Sequence, residues 1–216
     1  PVLLDELKKR GLDKVYYDIE LPLIPILDKA EKKGIKVDQA YFKDLSKTYH
    51  KELKKYEQRI WDHAGTEFNI NSPKQLSEVL FDTMGLSTKG LKKTAGGARS
   101  TRESELAKLR GEHKIIDEIL SYREVQKVLS TYIDTIPYMA DEHGRVHTKL
   151  HQAGTTTGRM SSSDPNMQNI PNSGELGPAI RKGFIAEKGH SFVALDYSQI
   201  EMRVLAVLAG DEKLME

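Results

Sequence analysis

The sequence predicts an α+β fold, in which a mainly helical part is followed by a smaller part of mixed helix and strand. Three observations predict it. Apolar residues recur every three or four positions in two long stretches before residue 137. From Gly144 onward the apolar period changes to two, which is typical of strands. The composition, 38% hydrophobic and 30% charged with no cysteine, is typical of a globular chain without disulfides.

The helical part begins with a short helix in residues 1–17. A second helix is predicted over residues 20–33 and is ended by Gly34. After an extended link, Asp38 is placed to cap the longest helix, which Gly65 ends. The buried stripe of that helix would consist of Leu45, Tyr49, Leu53, Tyr56, Ile60 and Ala64.

A capped helix and a loop come next. Ser72 can cap this helix, and Gln75 completes a capping box. Residues 85–100 are rich in glycine, lysine and threonine, which predicts a mobile basic loop. Ser100 together with Glu103 is expected to start the helix that follows the loop.

The second long helix is predicted over residues 112–136 and is ended by Pro137. Because the two long helices flank a basic, glycine-rich loop, they are expected to form an antiparallel arm. In the mixed part, the alternation over residues 145–152 predicts a strand, and residues 192–195 predict a buried strand. A helix over residues 200–209 should follow.

Charge is unevenly distributed along the chain. The net charge is only +1, so charge as a whole does not indicate a nucleic-acid binder. Residues 89–110, however, contain seven basic and two acidic side chains, and residues 143–163 contain no acidic one. Local basic stretches of this kind suit contact with a phosphate backbone. A solvated charged surface is the alternative interpretation.

Membrane and secretory functions are not expected from the sequence. No apolar run approaches the roughly 20 residues of a membrane span. Charge follows the first four residues at once, which argues against a signal peptide. The absence of cysteine rules out thiolate metal sites and suits a reducing compartment. We therefore expect a cytoplasmic protein without a membrane partner, encoded by a cell or by a phage in a bacterial cytoplasm.

A candidate metal-binding carboxylate follows the predicted strand at residues 192–195. Asp196 ends that strand and directly precedes a helix. A carboxylate in this position can hold a hard divalent cation, and the backbone carbonyl of Tyr197 can join it. Glu201 follows one turn into the helix. A helix cap is the alternative role for Asp196.

A polar segment precedes this motif. Residues 155–171 are almost wholly small and polar, with Arg159 as the one basic residue. Small residues let a backbone approach a surface closely, and amide and guanidinium groups can hydrogen-bond to acceptors in the minor groove of DNA. An ordinary Ser/Thr loop with Asx turns is the alternative.

Two segments carry a resemblance to a known family. Residues 157–171, TGRMSSSDPNMQNIP, and residues 196–203, DYSQIEMR, resemble signature motifs of bacterial-type family A DNA polymerases. Residues 69–76, NINSPKQL, and residues 130–134, STYID, are similar to the thumb of that family. The resemblance runs almost end to end, and the matches are long and ordered.

The resemblance implies three regions. Residues 1–22 would be the remnant of a linker to a proofreading-type domain, and residues 23–140 a helical thumb. Residues 141–216 would form an incomplete α/β palm that ends just after the first catalytic carboxylate motif. The nucleotide-binding helix and the second aspartate of the family would follow after Glu216, so the sequence is expected to be a fragment.

The resemblance also implies roles for the second motif. Asp196 would be catalytic and one of two aspartates that bind two Mg²⁺ ions, with Tyr197 adding its backbone carbonyl. Ser198, Gln199 and Glu201 would select the incoming nucleotide, and Glu201 would help to exclude a 2′-hydroxyl.

Primer-template DNA would be contacted by two regions. Arg159 would reach the minor groove at the primer end, and the tip of the thumb would hold duplex phosphates. Asn172-Ser173 stands where many relatives have a hydrophobic residue and an arginine, which removes one expected contact. The implied DNA-binding residues are Arg159, Ser161, Ser162, Asn166, Gln168 and Asn169, with Lys89, Lys92, Lys93, Arg99, Ser100, Thr101 and Arg102 in the thumb.

The implied function is that of a fragment, inactive alone, of a DNA-directed DNA polymerase. Such an enzyme transfers nucleotidyl groups from deoxynucleoside triphosphates to a primer in replication or repair and releases pyrophosphate. One half of a split polymerase, with a complementing chain, and a non-catalytic DNA-binding module are alternatives. A single-subunit RNA polymerase shares the palm but usually has glycine in place of Glu201. A metal nuclease using Asp164 and Asp196 is disfavoured, because Asp164 precedes Pro165 and suits a turn.

Overall fold

The computed structural model describes residues 2–94, 96–172 and 174–215, so Ser173 and Glu216 lie outside the described residues. The chain divides into two compact units, which we call the helical unit, up to Ile185, and the C-terminal unit, from Ala186. The α+β fold class is confirmed, since helices dominate and the strands form two small antiparallel sheets. The division between thumb and palm near residue 140 stays a prediction.

The helices of the helical unit follow the predicted order, and several of them change their winding along their length. α2 continues through a π-helical turn into α3, and α5, α6 and α7 each continue into a π-helical or 3₁₀ segment. Their bounds are α1 Val2–Lys9, α2 Asp13–Val15 with Tyr16–Glu20, α3 Leu21–Lys33, α4 Gln39–Ala64, α5 Pro73–Ser77 with Glu78–Thr83, α6 Glu103–Leu106 with Ala107–Leu109, α7 Lys114–Val128 with Leu129–Ile133, α8 Ile136–Met139 and α9 Leu176–Arg181.

Helix α4 begins and ends as predicted. The carboxylate of Asp38 accepts a hydrogen bond from the backbone N–H of Tyr41 at 2.9 Å, which satisfies one of the free donors at the helix start. Gly65 closes the helix with φ 68°, the left-handed conformation that glycine adopts without strain.

Helices α4 and α7 form the predicted antiparallel pair. The guanidinium of Arg59 contacts Glu118 at 2.9 Å, and Ser46 donates to Asp134 at 2.7 Å. Residue numbers rise along α4 as they fall along the α7 side, so the helices run in opposite directions. The core of the unit draws on this pair and on α5, α6 and α8. It includes the fully buried side chains Ile60, Leu76, Leu80, Leu106, Ile115, Ile116, Ile119, Leu129, Ile133 and Ile136.

Three local predictions are wrong. Pro137 does not end the second long helix; it lies in the first turn of α8, where a missing N–H costs nothing. Gln75 accepts from the N–H of Asn69 at 2.7 Å, so Ser72 caps α5 without the reciprocal bond of a capping box. Ser100 does not cap helix α6, which begins at Glu103 after Arg102. Its hydroxyl instead accepts from the N–H of Arg102, before the helix.

The predicted strand over residues 145–152 is divided between two sheets. β1, Ile35–Lys36, pairs with β2, Arg145–Val146. β3, Lys149–His151, pairs with β4, Ser161–Ser163, so that Leu150 lies opposite Ser162. The segment therefore forms two strands, and its pairing partner changes from β1 at Val146 to β4 at Lys149.

A polar latch ties the end of α3 to the segment that carries β2. His147 contacts the backbone carbonyl of Glu31 through Nδ1 at 2.7 Å and the carboxylate of Asp141 through Nε2 at 3.0 Å. Both partners are acceptors, so a positively charged imidazolium satisfies them together. Arg145 adds a hydrogen bond from Nη2 to the carbonyl of Gly34 at 3.0 Å. These contacts hold a helix that has no buried residue.

The single tryptophan of the chain also belongs to the helical unit. Trp61, near the end of α4, is half-buried, and its indole Nε1 donates to the carbonyl of Phe68 at 2.9 Å. This bond fastens the loop after α4 to the helix.

The C-terminal unit does not contain the predicted buried strand. Within its described residues, 192–195 are assigned no regular structure, and Val193 and Leu195 are 81% and 93% exposed. A strand needs a neighbouring strand to satisfy its backbone groups, and the described part of this unit supplies none. Helix α10, Ile200–Ala209, ends at Gly210 as predicted, and α11, Glu212–Met215, follows. In the described residues, every helix is too short or too polar to cross a bilayer.

Candidate functional site

The basic loop, residues 89–102, is folded back on itself. Lys93 and Arg99 face each other in an antiparallel bridge. The N–H of Thr94 donates to the carbonyl of Ala98 at 2.7 Å, and the N–H of Ser100 donates to the carbonyl of Lys92 at 3.0 Å. The loop is therefore a short hairpin with its own backbone hydrogen bonds.

A buried carboxylate lies at the base of this hairpin. Glu105 is only 4% exposed, and its Oε2 accepts from the N–H of Lys92 at 2.9 Å and from Nζ of Lys108 at 2.7 Å. The ammonium of Lys108 and then the N–H of Lys92 lower the pKa of Glu105 below its usual range. The same ammonium donates to the carbonyl of Gly90 at 3.2 Å. Residues 90 and 92 are thus both held through Glu105 and Lys108.

The predicted DNA-binding residues of the loop differ in exposure. Four of them are exposed: Lys89, Lys92, Lys93 and Arg102. Ser100 and Thr101 are each 5% exposed, which places their side chains inside the base of the loop. Arg99 is intermediate, because it pairs with Asp82 and lies over the ring of Phe81.

Arg123 completes the base from helix α7, and sequence reasoning missed it. Its guanidinium donates to the carbonyl of Thr101, and burial lowers its pKa from the usual value. It follows the buried Ile119 by one helical turn, a spacing that could have revealed it. A groove of about 920 Å³ lies beside these groups. Its basic lining residues are Lys74, Lys93, Arg99, Arg102 and Arg123.

The second predicted DNA-binding region is the connection between β3 and β4. Thr155 donates to the carbonyl of Arg159 at 2.7 Å, so the turn is closed by its own side chains. A Cβ on Gly154 would lie 2.0 Å from the Ser161 hydroxyl, so a larger residue in this turn would make that hydroxyl rotate away. Arg159 itself is exposed on this turn.

The amide residues after β4 divide between internal and exposed positions. Asn166 accepts from the N–H of Gln168 and from the hydroxyl of Ser162, both at 3.1 Å. Ser162 is 5% exposed, so its hydroxyl supports the strand instead of facing a ligand. Gln168 and Asn169 are exposed, and Ser161 is half-buried. Of the predicted DNA-binding residues in this region, Arg159, Gln168 and Asn169 are therefore the exposed ones.

The carboxylate motif lies in the C-terminal unit, just before α10. Asp196, Tyr197, Ser198 and Gln199 are all exposed. Gln199 has φ 51° and precedes the helix without a side-chain cap. Arg203 donates through Nε to the carbonyl of Ser198 at 2.9 Å, which ties the motif to the first turn of the helix.

The oxygen donors of this motif fit Mg²⁺ in kind but not in number. The carboxylate of Asp196 and the carbonyl of Tyr197 are hard oxygen ligands, which Mg²⁺ prefers. In residues 2–94, 96–172 and 174–215, no three His, Asp or Glu side chains lie close enough to hold a metal ion. The two groups would therefore hold an ion only together with ligands from water, substrate or further carboxylates.

Asp164 has a local role that disfavours the nuclease alternative. Its carboxylate lies 3.3 Å from Nζ of Lys149 on the neighbouring strand. That ammonium, and then the hydroxyl of Ser163, lower the pKa of Asp164. This carboxylate is therefore engaged in an exposed ion pair within the β3–β4 hairpin.

Known proteins resemble the chain along most of its length. Residues 39–216 match DNA polymerase family A. The chain is 47% identical over 202 residues to the thermostable DNA polymerase I of Thermus thermophilus, which is 93% of this chain and 24% of that protein. It is 46% identical over 218 residues to DNA polymerase I of Deinococcus radiodurans, which is 100% of this chain and 22% of that protein. The chain thus spans about a quarter of the length of these curated relatives.

A solved structure is similar over the same extent. The POL domain of Pol1 from M. smegmatis, in complex with DNA primer-template and dNTP, matches with a TM-score of 0.87 at 32% identity. The match covers 97% of this chain and 37% of that chain. Family, fold and sequence comparisons agree with the resemblance of the two motifs. The chain belongs to DNA polymerase family A.

Proposed function

We propose that this chain forms the thumb and the first part of the palm of a DNA-directed DNA polymerase that acts in replication or repair. The observation that carries the proposal is the match of residues 39–216 to the family, which includes both signature motifs. Primer-template DNA and deoxynucleoside triphosphates are the proposed partners. Bacterial relatives named DNA polymerase I support a cytoplasmic location.

The basic loop is the proposed grip on duplex phosphates. Lys89, Lys92, Lys93 and Arg102 are exposed at the hairpin, and phosphate contacts by such cations release counterions from DNA. Arg159, with Gln168 and Asn169, is the proposed contact at the primer end. Ser100, Thr101 and Ser162 are proposed to support these surfaces from within.

The grip can be tested by the salt dependence of DNA binding. We expect the triple variant K92A/K93A/R102A to bind a labelled primer-template more weakly and to lower the slope of log affinity against log salt by about three. K51A/K54A/K55A removes the same charge from exposed positions of α4 and is the matched control. Equal losses in the two variants would show that only overall charge matters.

The carboxylate motif is proposed to supply some of the ligands of the metal site, and the rest of the polymerase to supply the others. Asp196 and the carbonyl of Tyr197 would hold Mg²⁺, and the second aspartate would come from a part of the polymerase outside residues 1–216. When bound, the metal ions lower the pKa of the primer 3′-hydroxyl and neutralise charge on the triphosphate. Glu201, with Ser198 and Gln199, would face the sugar of the nucleotide and exclude a 2′-hydroxyl.

A chimeric enzyme tests the catalytic role. Residues 39–216 would replace the matching segment of the thermostable polymerase of Thermus aquaticus, which is 48% identical to this chain. We expect the chimera to extend primers and Asp196→Asn to lower the rate by about a thousandfold, because a weakened hold on Mg²⁺ removes electrostatic stabilisation of the transition state. Asp211→Asn is the control, because Asn caps a helix as well as Asp does.

A polypeptide of residues 1–216 alone is proposed to bind primer-template weakly and not to extend it. Addition of a second chain with the remaining palm and the fingers of a relative should restore extension if the two parts assemble. Steady extension by the isolated polypeptide with Mg²⁺ and four nucleotides would contradict this. Full activity of the Asp196→Asn chimera would instead favour a DNA-binding module without chemistry.

A further inference from the structure

We propose that Glu105 is a positioning residue, which holds the basic loop in the shape that presents Lys92 and Lys93 to DNA phosphates. The inference rests on the proposed function. It gives an acidic residue a role in a loop whose proposed contacts with DNA are otherwise made by lysine and arginine.

A buried carboxylate is costly unless its environment compensates it. Glu105 is 4% exposed, and one of its oxygens receives both the N–H of Lys92 and the ammonium of Lys108. A surface glutamate on a four-residue helix would ordinarily turn to water. Glu105 points inward instead. We infer that its two hydrogen bonds offset the free energy that is lost when its carboxylate leaves water.

These bonds fix the start of the hairpin. The N–H of Lys92 is held by Glu105, and the carbonyl of the same residue accepts from Ser100 at 3.0 Å. Lys108, whose ammonium is placed by Glu105, also binds the carbonyl of Gly90. The backbone of residues 90–92 is therefore held on both edges, and the exposed side chains of Lys92 and Lys93 leave it from a fixed position.

The other end of the hairpin is fixed separately. The carbonyl of Thr101 accepts from the Arg123 guanidinium, which reaches it from helix α7. Arg99 is tied to Asp82. Loss of Glu105 would thus release the side that carries Lys92 and Lys93 while the side near Arg102 stays anchored.

The sign of the effect separates positioning from charge. A carboxylate beside a DNA-binding loop repels phosphate, so its removal should tighten binding if it acts through charge alone. If it positions the loop, removal of its oxygen should weaken binding in spite of the more favourable charge. Glu103, on the same helix and exposed, is the matched position.

The experiment compares Glu105→Met, Glu105→Gln and Glu103→Met with the wild type in primer-template anisotropy titrations. Methionine fills the buried site without an acceptor, and the ammonium of Lys108, whose side chain is 46% exposed, can then turn to water. We expect Glu105→Met to bind about fivefold more weakly and to lower the salt slope by about one. Glu105→Gln keeps an acceptor oxygen and should bind at least as tightly as the wild type. Glu103→Met should bind no more weakly than the wild type.

Limited proteolysis in the absence of DNA measures how often the hairpin opens. Tryptic cleavage after Lys89, Lys92 and Lys93 should be faster in Glu105→Met than in Glu103→Met, because a released hairpin opens more often. Equal affinity and equal cleavage in these two variants would overturn the role of Glu105. Failure of the wild type itself to bind primer-template would instead overturn the proposed function, and this use of the loop with it.

Discussion

Helices α7 and α10 are both rich in apolar residues, yet the structure treats them in opposite ways. Seven residues are buried in the α-helical part of α7, Lys114–Val128, whereas in α10 the buried residue is Ala206. Leu205 and Leu208 of α10 are 52% and 81% exposed. The difference teaches that apolar content is enough to form a helix, while burial needs a neighbour such as α4, which runs along α7.

The sharpest test of this comparison truncates one side chain in each helix. Ile116 is fully buried in α7, and we expect Ile116→Ala to lower the free energy of unfolding of the helical unit by about 3 kcal/mol, through lost transfer energy and a cavity. Leu208→Ala in α10 should change it by less than about 0.5 kcal/mol. Urea unfolding curves measure both, and a large loss from Leu208→Ala would show that α10 is covered in solution.

Helix α3 adds a third case, since it has no buried residue and is held at its end by backbone geometry and the latch. Gly34 has φ 59° and ψ −174°, and a Cβ there would lie 2.6 Å from the carbonyl oxygen of Val146. We expect Gly34→Ala to cost about 2 to 3 kcal/mol in the free energy of unfolding, because alanine neither adopts this conformation nor fits. Gly11→Ala, with open space around it, should cost about 1 kcal/mol. Similar losses in calorimetric unfolding would remove the role of the close contact.

The starts of the helices offer a smaller test. Asp38 caps α4, whereas Gln199 before α10 makes no side-chain cap. Asp38→Ala should lower the free energy of unfolding by about 1 kcal/mol, and Asp38→Asn by only a few tenths. Denaturant titration of the two variants checks this. A larger loss from Asn than from Ala would mean that charge, and not the cap, stabilises the helix start.

Changes in the latch are expected to have the smallest effect on the free energy of unfolding, and this effect should depend on pH. Hydrogen bonding to Asp141, and then to the Glu31 carbonyl, raises the pKa of His147 above 6.5, with Arg145 acting in the opposite direction. The contribution of His147 to stability is therefore complete below about pH 6.5 and is lost as the pH rises through the raised pKa. The bond from His147, then the N–H of Arg145, lower the pKa of Asp141 to about 2, so its contribution is present above 3.8 and is lost as the pH falls.

Unfolding experiments at about pH 5.5 and about pH 8.5 measure the latch. The wild type should lose part of its stability at the higher pH, and His147→Gln should lose that dependence. His143→Gln is the control, because His143 is exposed beside Glu142. An unchanged dependence in His147→Gln would assign the titration to another group.

Much of the helical unit could be predicted from local patterns. The caps at Asp38 and Gly65 depend on residues close in sequence, which is why they were found. Of the predicted stripe of α4, Leu53 and Ile60 are buried and the other four residues are partly buried against the core, while the fully buried Phe42 was not predicted. The end of α7 could not be predicted in this way, because Pro137 is tolerated equally at a helix end and in a first turn. The strand at residues 192–195 failed for a different reason, since its formation depends on partners that local sequence does not specify.

The candidate site shows the same division. The exposed cations of the basic loop and the motif around Asp196 were predicted from composition and resemblance. Burial of Ser100, Thr101 and Ser162 could not be, because small polar residues serve equally well as ligands and as internal supports. Glu105 and Arg123 were missed for the converse reason: their bonds to residues 92 and 101 join positions that are distant in sequence, and local patterns do not specify such bonds.

Trp61 gives the molecule a natural optical reporter. Because this indole is the chain's single one and is bonded within the helical unit, its emission follows the opening of that unit. Residues 186–215 contain Tyr197 but no tryptophan, so their rearrangement would be silent under selective excitation of the indole. Fluorescence and circular dichroism recorded together would therefore separate the melting of the two units without any introduced dye.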